Sequence, residues 1–399
     1  MSNDTQVVIV GAGPVGCVVA LILARAGVAV RLLEAEPKLV QDMRGSTFHP
    51  PTLDMLDELG ITPKLIEQGR VTPTFQYRDL DDGLIAEFDL ALLKDDTTHP
   101  YRLQCEQFKL TRVIAEMLAA YPHVELLFDA RVVAITQTDS QTVVEYDTPS
   151  GPENIACKYL VGCDGSRSTV RKSQNIGFPG FTYDEHFVTV SVSEDISQIV
   201  PGMDDVSYIS HPTEWCALIH VPQSWRFLFP VQAEISHQDS LAEGYLQQRM
   251  KRIAAYGADY SITHRTIYSV NQRVAETYRR GRVLLAGDAA HVNNPLGGMG
   301  MNGGIHDGIN VAEKLVAVLN EGESDDLLDK YDRQRRPIAN DYVQTHSIRN
   351  KQMIEEADPA VRRQRQDDLR AIADDPQRSI DLLLQTSMIH AVRKSQSIE

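Results

Sequence analysis

Val7–Val10 is an unbroken apolar run that stops at glycine. Without polar alternation, such a run predicts a strand buried on both faces, as in a parallel sheet. From Val15 to Ala26 small and apolar residues follow in a pattern that fits a packed helix, closed by Gly27. Val28–Leu33 is a second buried run, ending at Glu34. Together these predict a βαβ unit at the start of the chain. Thr52–Leu59, stopped by Gly60, and Phe108–Ala120 read as helices. Between them, residues 71–101 alternate and carry the turn signal Asp81-Asp82-Gly83, which predicts antiparallel strands. Val124–Phe128, Val132–Thr136, Thr142–Tyr146 and Tyr159–Cys163 read as further strands.

From Phe187 to Tyr268 the pattern is strand-rich and aromatic, with Trp215, Trp225, Phe227 and Phe229. Val283–Ala286 returns to the buried-strand type and leads through a glycine-dense loop into a long helix. Ile305, Ile309, Ala312, Val316 and Leu319 fall on one face of that helix. The last sixty or so residues are charged and helical in character, ending in Leu382–Met388. The nucleotide-type pieces are therefore interrupted by a strand-rich insertion. We place the first at 1–70, 102–180 and 271–345, the insertion at 71–101 and 181–270, and a helical segment at 346–399.

Composition narrows the partners. A formal net charge of -16 repels phosphate backbones and anionic lipid, so neither nucleic acid nor a membrane surface is expected. An anionic substrate would need local basic residues to overcome that field. The five cysteines form no CxxC pair, so no metal site is expected, and a reducing cytoplasmic location fits. The apolar stretch from Val7 to Leu33 is broken by Gly11, Gly13, Pro14 and Gly16, which argues against a membrane span or signal segment.

Gly11-Ala-Gly13-Pro14-Val15-Gly16 sits after a strand and opens a helix, where a dinucleotide fingerprint belongs. Gly11 permits the tight turn, Gly13 lets backbone approach a pyrophosphate, and Gly16 lets helix and strand pack closely. The helix start offers N–H groups to phosphate, and Glu34, with Ala35 beside it, suits a ribose diol. This pattern alone does not separate NAD from FAD.

Two later segments do. Leu160-Val-Gly-Cys-Asp164-Gly165-Ser-Arg-Ser168-Thr-Val170-Arg171 and Gly281-Arg-Val-Leu-Leu-Ala-Gly287-Asp288-Ala-Ala-His291, with Pro295-Leu-Gly297-Gly298-Met-Gly300-Met301-Asn302, resemble the group A flavoprotein monooxygenases. That is the family of para-hydroxybenzoate hydroxylase. The resemblance implies an α/β fold: a Rossmann-like FAD-binding domain, an inserted β-sheet-rich substrate domain and a helical C-terminal segment. It implies that Asp164 and Gly165 touch flavin and passing nicotinamide, and that Asp288, after Gly287, binds a ribityl hydroxyl. Pro295, Gly298, Gly300, Met301 and Asn302 would border the flavin ring. Arg44 would lie near the FAD phosphates, and Gln104 near the ribityl chain, although the register of Gln104-Cys-Glu106-Gln107 leaves that glutamine ambiguous.

The implied activity is hydroxylation of a small aromatic substrate with O₂ and NADPH or NADH, through a flavin 4a-hydroperoxide. Candidate catalytic residues are Pro295, His211 and Tyr208; candidate substrate contacts are Tyr208, Trp215, His220, Arg226 and Asn294. For each histidine a structural role is the competing explanation. Many relatives carry a second proline before Pro295, where this chain has Asn293-Asn294. A flavin dehydrogenase or oxidase, a halogenase-like enzyme and a non-catalytic escort protein are the alternatives; Trp225-Arg-Phe-Leu-Phe-Pro lacks the second Trp and the Ile of the halogenase stretch. The C-terminal helices would either cover the FAD domain or form a homodimer contact.

Overall fold

The computed structural model describes residues 5–41, 43 and 45–399. Its first sheet runs in the order Arg279–Arg280, Val283–Leu285, Gly151–Gly162, Thr5–Val10, Val30–Leu33, Val124–Leu127. From Val283–Leu285 to Val124–Leu127 every pairing on that path is parallel. Val7, Val8 and Ile9 are fully buried, as a strand covered on both faces requires. Gly151–Gly162 begins further back than its apolar run. Its polar first half pairs antiparallel with Thr142–Thr148, and its apolar second half joins the parallel sheet. Only the second half carries a buried pattern, so only that part is readable as such.

The second sheet has the order His291–Val292, Ile262–Val274, Gly180–Val192, Ser224–Val231, Cys216–Val221, Val206–Ser210, Thr74–Asp79, Gly83–Asp89. Its pairings are antiparallel except Val206–Ser210 against Thr74–Asp79. One face is apolar: Val188, Val190, Leu218, Trp225, Phe227 and Phe229 form a core with Leu246, Met250 and Ile253. The last three belong to a helix, Glu243–Ile253, that the strand-rich reading of this region did not anticipate.

The chain crosses between the sheets at one place. Val283–Leu285 lies in the first sheet and His291–Val292 in the second, with Gly287-Asp288 between them. The glycine loop then opens the helix Met299–Val316. That helix packs across Pro14–Arg25, and the contact is possible because of glycine. A Cβ on Gly304 would stand 2.9 Å from a Val15 methyl, and one on Gly287 2.8 Å from the same group. Ile305 and Ala312 are buried on it as expected, whereas Ile309, Val316 and Leu319 are only partly buried. Asn302, His306 and Asp307 are buried in their stead, so the inner face is polar at its start.

Of the C-terminal helices, Pro359–Ala373 and Pro376–Thr386 pack at the edge of the second sheet, whereas Ile389–Gln396 packs on the helices Leu327–Ile338 and Pro50–Glu58. Leu369, Leu383, Leu384 and Ile389 share a core with Phe75, Tyr77, Ile85 and Phe88. Met388 and Ala391 reach Met299 behind the glycine loop. The tail thus covers the edge hairpin Thr74–Asp89 with its first two helices and meets Leu327–Ile338, of the nucleotide-type part, with its last. No helix among the described residues is long and apolar enough to cross a membrane.

Candidate active site

The fingerprint glycines do three different things. Gly11 has a φ of 99°, and a Cβ there would stand 2.5 Å from the Cys163 carbonyl oxygen. A Cβ on Gly16 would stand 2.0 Å from the Gly11 carbonyl oxygen, so the helix sits on the turn itself. Gly13 has nothing within 4 Å of its would-be Cβ: it borders open space. The helix Pro14–Arg25 has no side-chain cap, so its first N–H groups are available to an anion. Glu34 reaches back to this turn, accepting from the Ala12 amide at 2.9 Å and the Glu36 amide at 3.0 Å. A cradle of this shape, with one open glycine and an uncapped helix start, fits a dinucleotide phosphate.

Asp164 is a cap, accepting from the Ser168 hydroxyl at 2.5 Å and the Thr169 amide at 2.7 Å. Burial pushes its carboxyl up, and those hydrogen bonds oppose the shift. Gly165, at a φ of 77°, completes the turn. Arg171 is not solvated: it donates to the Ala289 carbonyl at 2.8 Å and the Ser166 carbonyl at 2.9 Å, and lies 3.8 Å over Phe178. It ties the Asp164-Gly165 turn to the Gly287-Asp288 turn. Behind the latter, Asp307 accepts from Arg335 and His291, both at 2.7 Å, and from the Gly287 amide at 3.3 Å. Burial pushes the Asp307 carboxyl up, but Arg335 and His291 outweigh it and hold it below the ordinary value. His291 therefore has a positioning partner and no contact with the cavity described next.

Between the glycine loop and the second sheet lies a cavity of about 310 Å³, in the range of small-molecule sites. Pro295, Gly298, Gly300, Met301 and Asp288 border one side. Asp288 is exposed toward this space, not a buried acceptor. The other side is the non-core face of the sheet, read at every second residue: Thr189 and Ser191, Ala217 and Ile219, Arg226 and Leu228, His264, Thr266 and Tyr268. Alternation explains the pairing, since the residues between them build the aromatic core. Buried Ser191 Oγ and Asn293 Oδ1, both in lining residues, have no protein partner. The helix Met299–Val316 starts at this cavity, again with no side-chain cap.

Gly297 and Gly298 have φ values of 96° and 68°. A side chain on Gly298 would meet Thr47, its Cβ 3.1 Å from the Thr47 Cβ. The glycines are required by the loop's own conformation and packing. Asn302 is fully buried and locks the loop: it donates to the Thr47 carbonyl at 2.8 Å and the Gly298 carbonyl at 2.6 Å, and accepts from the His49 amide.

Of the residues singled out for substrate or chemistry, the structure brings Tyr208, Arg226 and Pro295 to the cavity. Arg226 donates to the Met43 carbonyl at 2.7 Å and pairs with Glu106 at 3.4 Å. His211, Trp215, His220 and Asn294 are elsewhere. His211 accepts from the Thr213 and Glu214 amides in a turn. Trp215 packs edge-on against Phe187 in the core. His220 is held by Asp205 at 2.8 Å and stacks on Trp225. Asn294 is fully buried, donating to the Ser347 carbonyl at 2.9 Å; its neighbour Asn293 lines the cavity. Gln104 is buried with Oε1 accepting from Thr47 at 2.7 Å, while Gln107 lines the cavity. Arg44 lies outside the described residues.

Comparisons with known proteins converge on this arrangement. The family model described as FAD binding domain matches residues 4–346. Para-nitrophenol 4-monooxygenase of Pseudomonas sp. (strain WBC-3) is 36% identical, with 91% of this chain and 90% of the relative aligned. 6-Hydroxy-3-succinoylpyridine 3-monooxygenase of Pseudomonas putida (strain DSM 28022 / S16) is 32% identical over 84% of this chain and 85% of its own. A crystal structure of p-nitrophenol 4-monooxygenase from Pseudomonas putida DLL-E4 superimposes with a TM-score of 0.93 at 33% identity, covering 99% of both chains. The chain therefore belongs to the FAD-binding-domain family of flavoprotein monooxygenases, whose members here are aromatic hydroxylases.

Proposed function

We propose that this chain hydroxylates a small phenol, as its electron-rich phenolate, in the cavity between the glycine loop and the second sheet, using O₂ and NADPH or NADH. The observation that carries the reading is the shared border of that cavity: an uncapped helix start and glycine loop on one side, a half-polar sheet face on the other. Val15 and Gly16 at the first helix, with Glu34, would hold the ADP portion of FAD. Asp288, Gln107 and the loop Pro295–Met301 would hold its flavin portion. When bound, FAD supplies the redox chemistry, taking electrons from nicotinamide and activating O₂.

The protein's share is position, charge and exclusion of water. The positive end of the helix Met299–Val316 favours negative charge at the loop. Ala217, Ile219, Leu228 and Leu296 give the ring an apolar bed, and Tyr208 offers a hydroxyl to the phenol oxygen. One oxygen atom enters the ring and the other leaves as water. That 36%-identical relative is named for para-nitrophenol, which makes 4-nitrophenol and its analogues the first compounds to try.

The test is FAD-loaded protein with NADPH or NADH and a panel of phenols, following cofactor oxidation and product mass. Phenol-stimulated oxidation is expected, with one oxygen gained by the product, or, where oxygen enters 4-nitrophenol at its nitro-bearing carbon, with nitrite released and 1,4-benzoquinone formed. Cofactor oxidation that yields only peroxide across the panel would point to an oxidase instead.

A further inference from the structure

We propose that Arg102 is a buried counter-charge for an ionised phenol, acting through the Tyr208 hydroxyl that separates it from the cavity. This rests on the phenol reading above. Arg102 opens the strand Arg102–Gln104 and is 2% exposed. Its guanidinium lies 4.1 Å over the Phe75 ring, and Nη1 donates to the Tyr208 hydroxyl at 3.4 Å. Nε has no partner, and among the described residues no carboxylate stands at ion-pair distance from it. Beside it is a small space of about 10 Å³, bordered by Tyr77, Tyr208, Leu296, Gly297 and Asn350, room for about one water. Tyr208, Leu296 and Gly297 also border the large cavity, so the two spaces share one partition.

The charge is not cancelled locally. The titratable groups facing Arg102 are Tyr77, Tyr208 and His49. Burial pushes the Tyr77 phenol up, and burial together with Arg102 pushes His49 down to about 3, so neither supplies a negative charge near neutral pH. Arg226, which lines the cavity, is already paired with Glu106. A buried cation without a partner is costly, and an anion entering next door relieves that cost. Because the Tyr208 oxygen accepts from Arg102, its own proton is available to the phenol oxygen. Arg102 is thus a positioning residue: it orients that hydroxyl and biases the site toward phenolate. It also answers how a chain of net charge -16 receives an anion.

The experiment uses FAD-loaded, oxidised protein without nicotinamide and reads the visible nitrophenolate band of bound 4-nitrophenol against pH. In the native protein, bound 4-nitrophenol is expected to ionise at lower pH than in buffer. Arg102→Met should raise that ionisation by about one pH unit, or about tenfold less phenolate at a fixed lower pH. Arg102→Lys should restore most of the shift, which a purely packing role would not do. Should Arg102→Met fail to retain FAD, Tyr208→Phe serves: it should lose most of the shift while leaving the arginine in place. Bound 4-nitrophenol that ionises at the native pH in Arg102→Met, or in Tyr208→Phe, overturns the proposal and leaves the phenol reading standing. Native protein that binds no nitrophenol overturns both.

Discussion

The two sheets put their chemistry in different places. In the parallel sheet both faces are buried, and the groups we propose for FAD are at strand ends: Gly11–Gly16, Glu34, Asp164 and Asp288. In the antiparallel sheet only one face packs on the aromatic core, and the cavity is built mid-strand from the alternate residues. A strand buried on both faces has no free side chains to offer until it ends. A strand covered on one face offers every second one. The first kind of site leaves a glycine-and-acid signature in sequence, and the second leaves only a parity.

The sharpest break of this comparison is within the fingerprint. Gly16→Val should give no folded, FAD-retaining protein, because its Cβ would stand 2.0 Å from the Gly11 carbonyl oxygen. Gly13→Ala should fold, since nothing lies within 4 Å of its Cβ, yet lose most of its FAD affinity. Soluble yield, thermal melting and flavin retained after gel filtration separate the two. A Gly13→Ala protein with full flavin would show that the open side faces no phosphate.

Next in size are two buried changes. Phe227→Ala removes a fully buried ring from the aromatic core and should cost about 3–5 kcal/mol. Thr189→Ala, on the cavity face of the adjoining strand, should leave denaturant stability within about 1 kcal/mol and raise KM for the phenol. Equal stability losses would mean the parity is misassigned. Asp307→Asn should also cost about 3–5 kcal/mol, because Arg335 and His291 keep their burial without their anion. The sign with pH follows from the depressed folded pKa. The stabilisation is complete above the unfolded carboxylate's value and lost as pH falls through the lower folded one. The gap in melting temperature between native protein and Asp307→Asn should therefore close in acid, below about pH 4.

These effects follow what was legible. The fingerprint, the Asp164 and Asp288 turns and the glycine loop could be read because φ and strand ends dictate residue type there. Val188-Thr-Val-Ser-Val192 and Trp225-Arg-Phe-Leu-Phe229 carry a clear parity too. Which face meets the cofactor, however, is decided by the helix Glu243–Ile253 covering the other one. Without that partner, the eye goes to the aromatic and histidine residues: His220 stacks on Trp225 of the covered face, and Trp215 packs with Phe187, Ala217 and Leu228 without bordering the cavity itself. Arg102 was invisible for a different reason. It is a lone charge between Tyr101 and Leu103 in a three-residue strand, and only tertiary packing shows that no acid accompanies it.

A middling effect is expected at Asp288. Because it is exposed toward the cavity, Asp288→Ala should leave the flavin-free protein as stable as before while weakening FAD binding about tenfold, the contribution of one charged hydrogen bond. Flavin fluorescence titration reads the affinity and apo melting reads the fold. A loss of apo stability would move Asp288 from the ligand side of the comparison to the structural side.

The smallest effect should come from a residue that looked chemical in sequence. His211 accepts the Thr213 amide at 3.2 Å and the Glu214 amide at 3.0 Å through Nδ1, and its own amide donates to the Ile354 carbonyl at 2.9 Å. It caps a turn at the end of Val206–Ser210, outside the residues bordering the cavity. His211→Ala should cost about 1 kcal/mol of stability and leave kcat and KM within about twofold, and His211→Asn, which keeps an acceptor, should recover the stability. The pH profile of turnover should not move, because no proton of the reaction passes through this ring. A drop in kcat of tenfold or more with melting unchanged would place chemistry beyond the cavity-facing parity, and the division between strand-end and mid-strand sites would have to be redrawn around that turn.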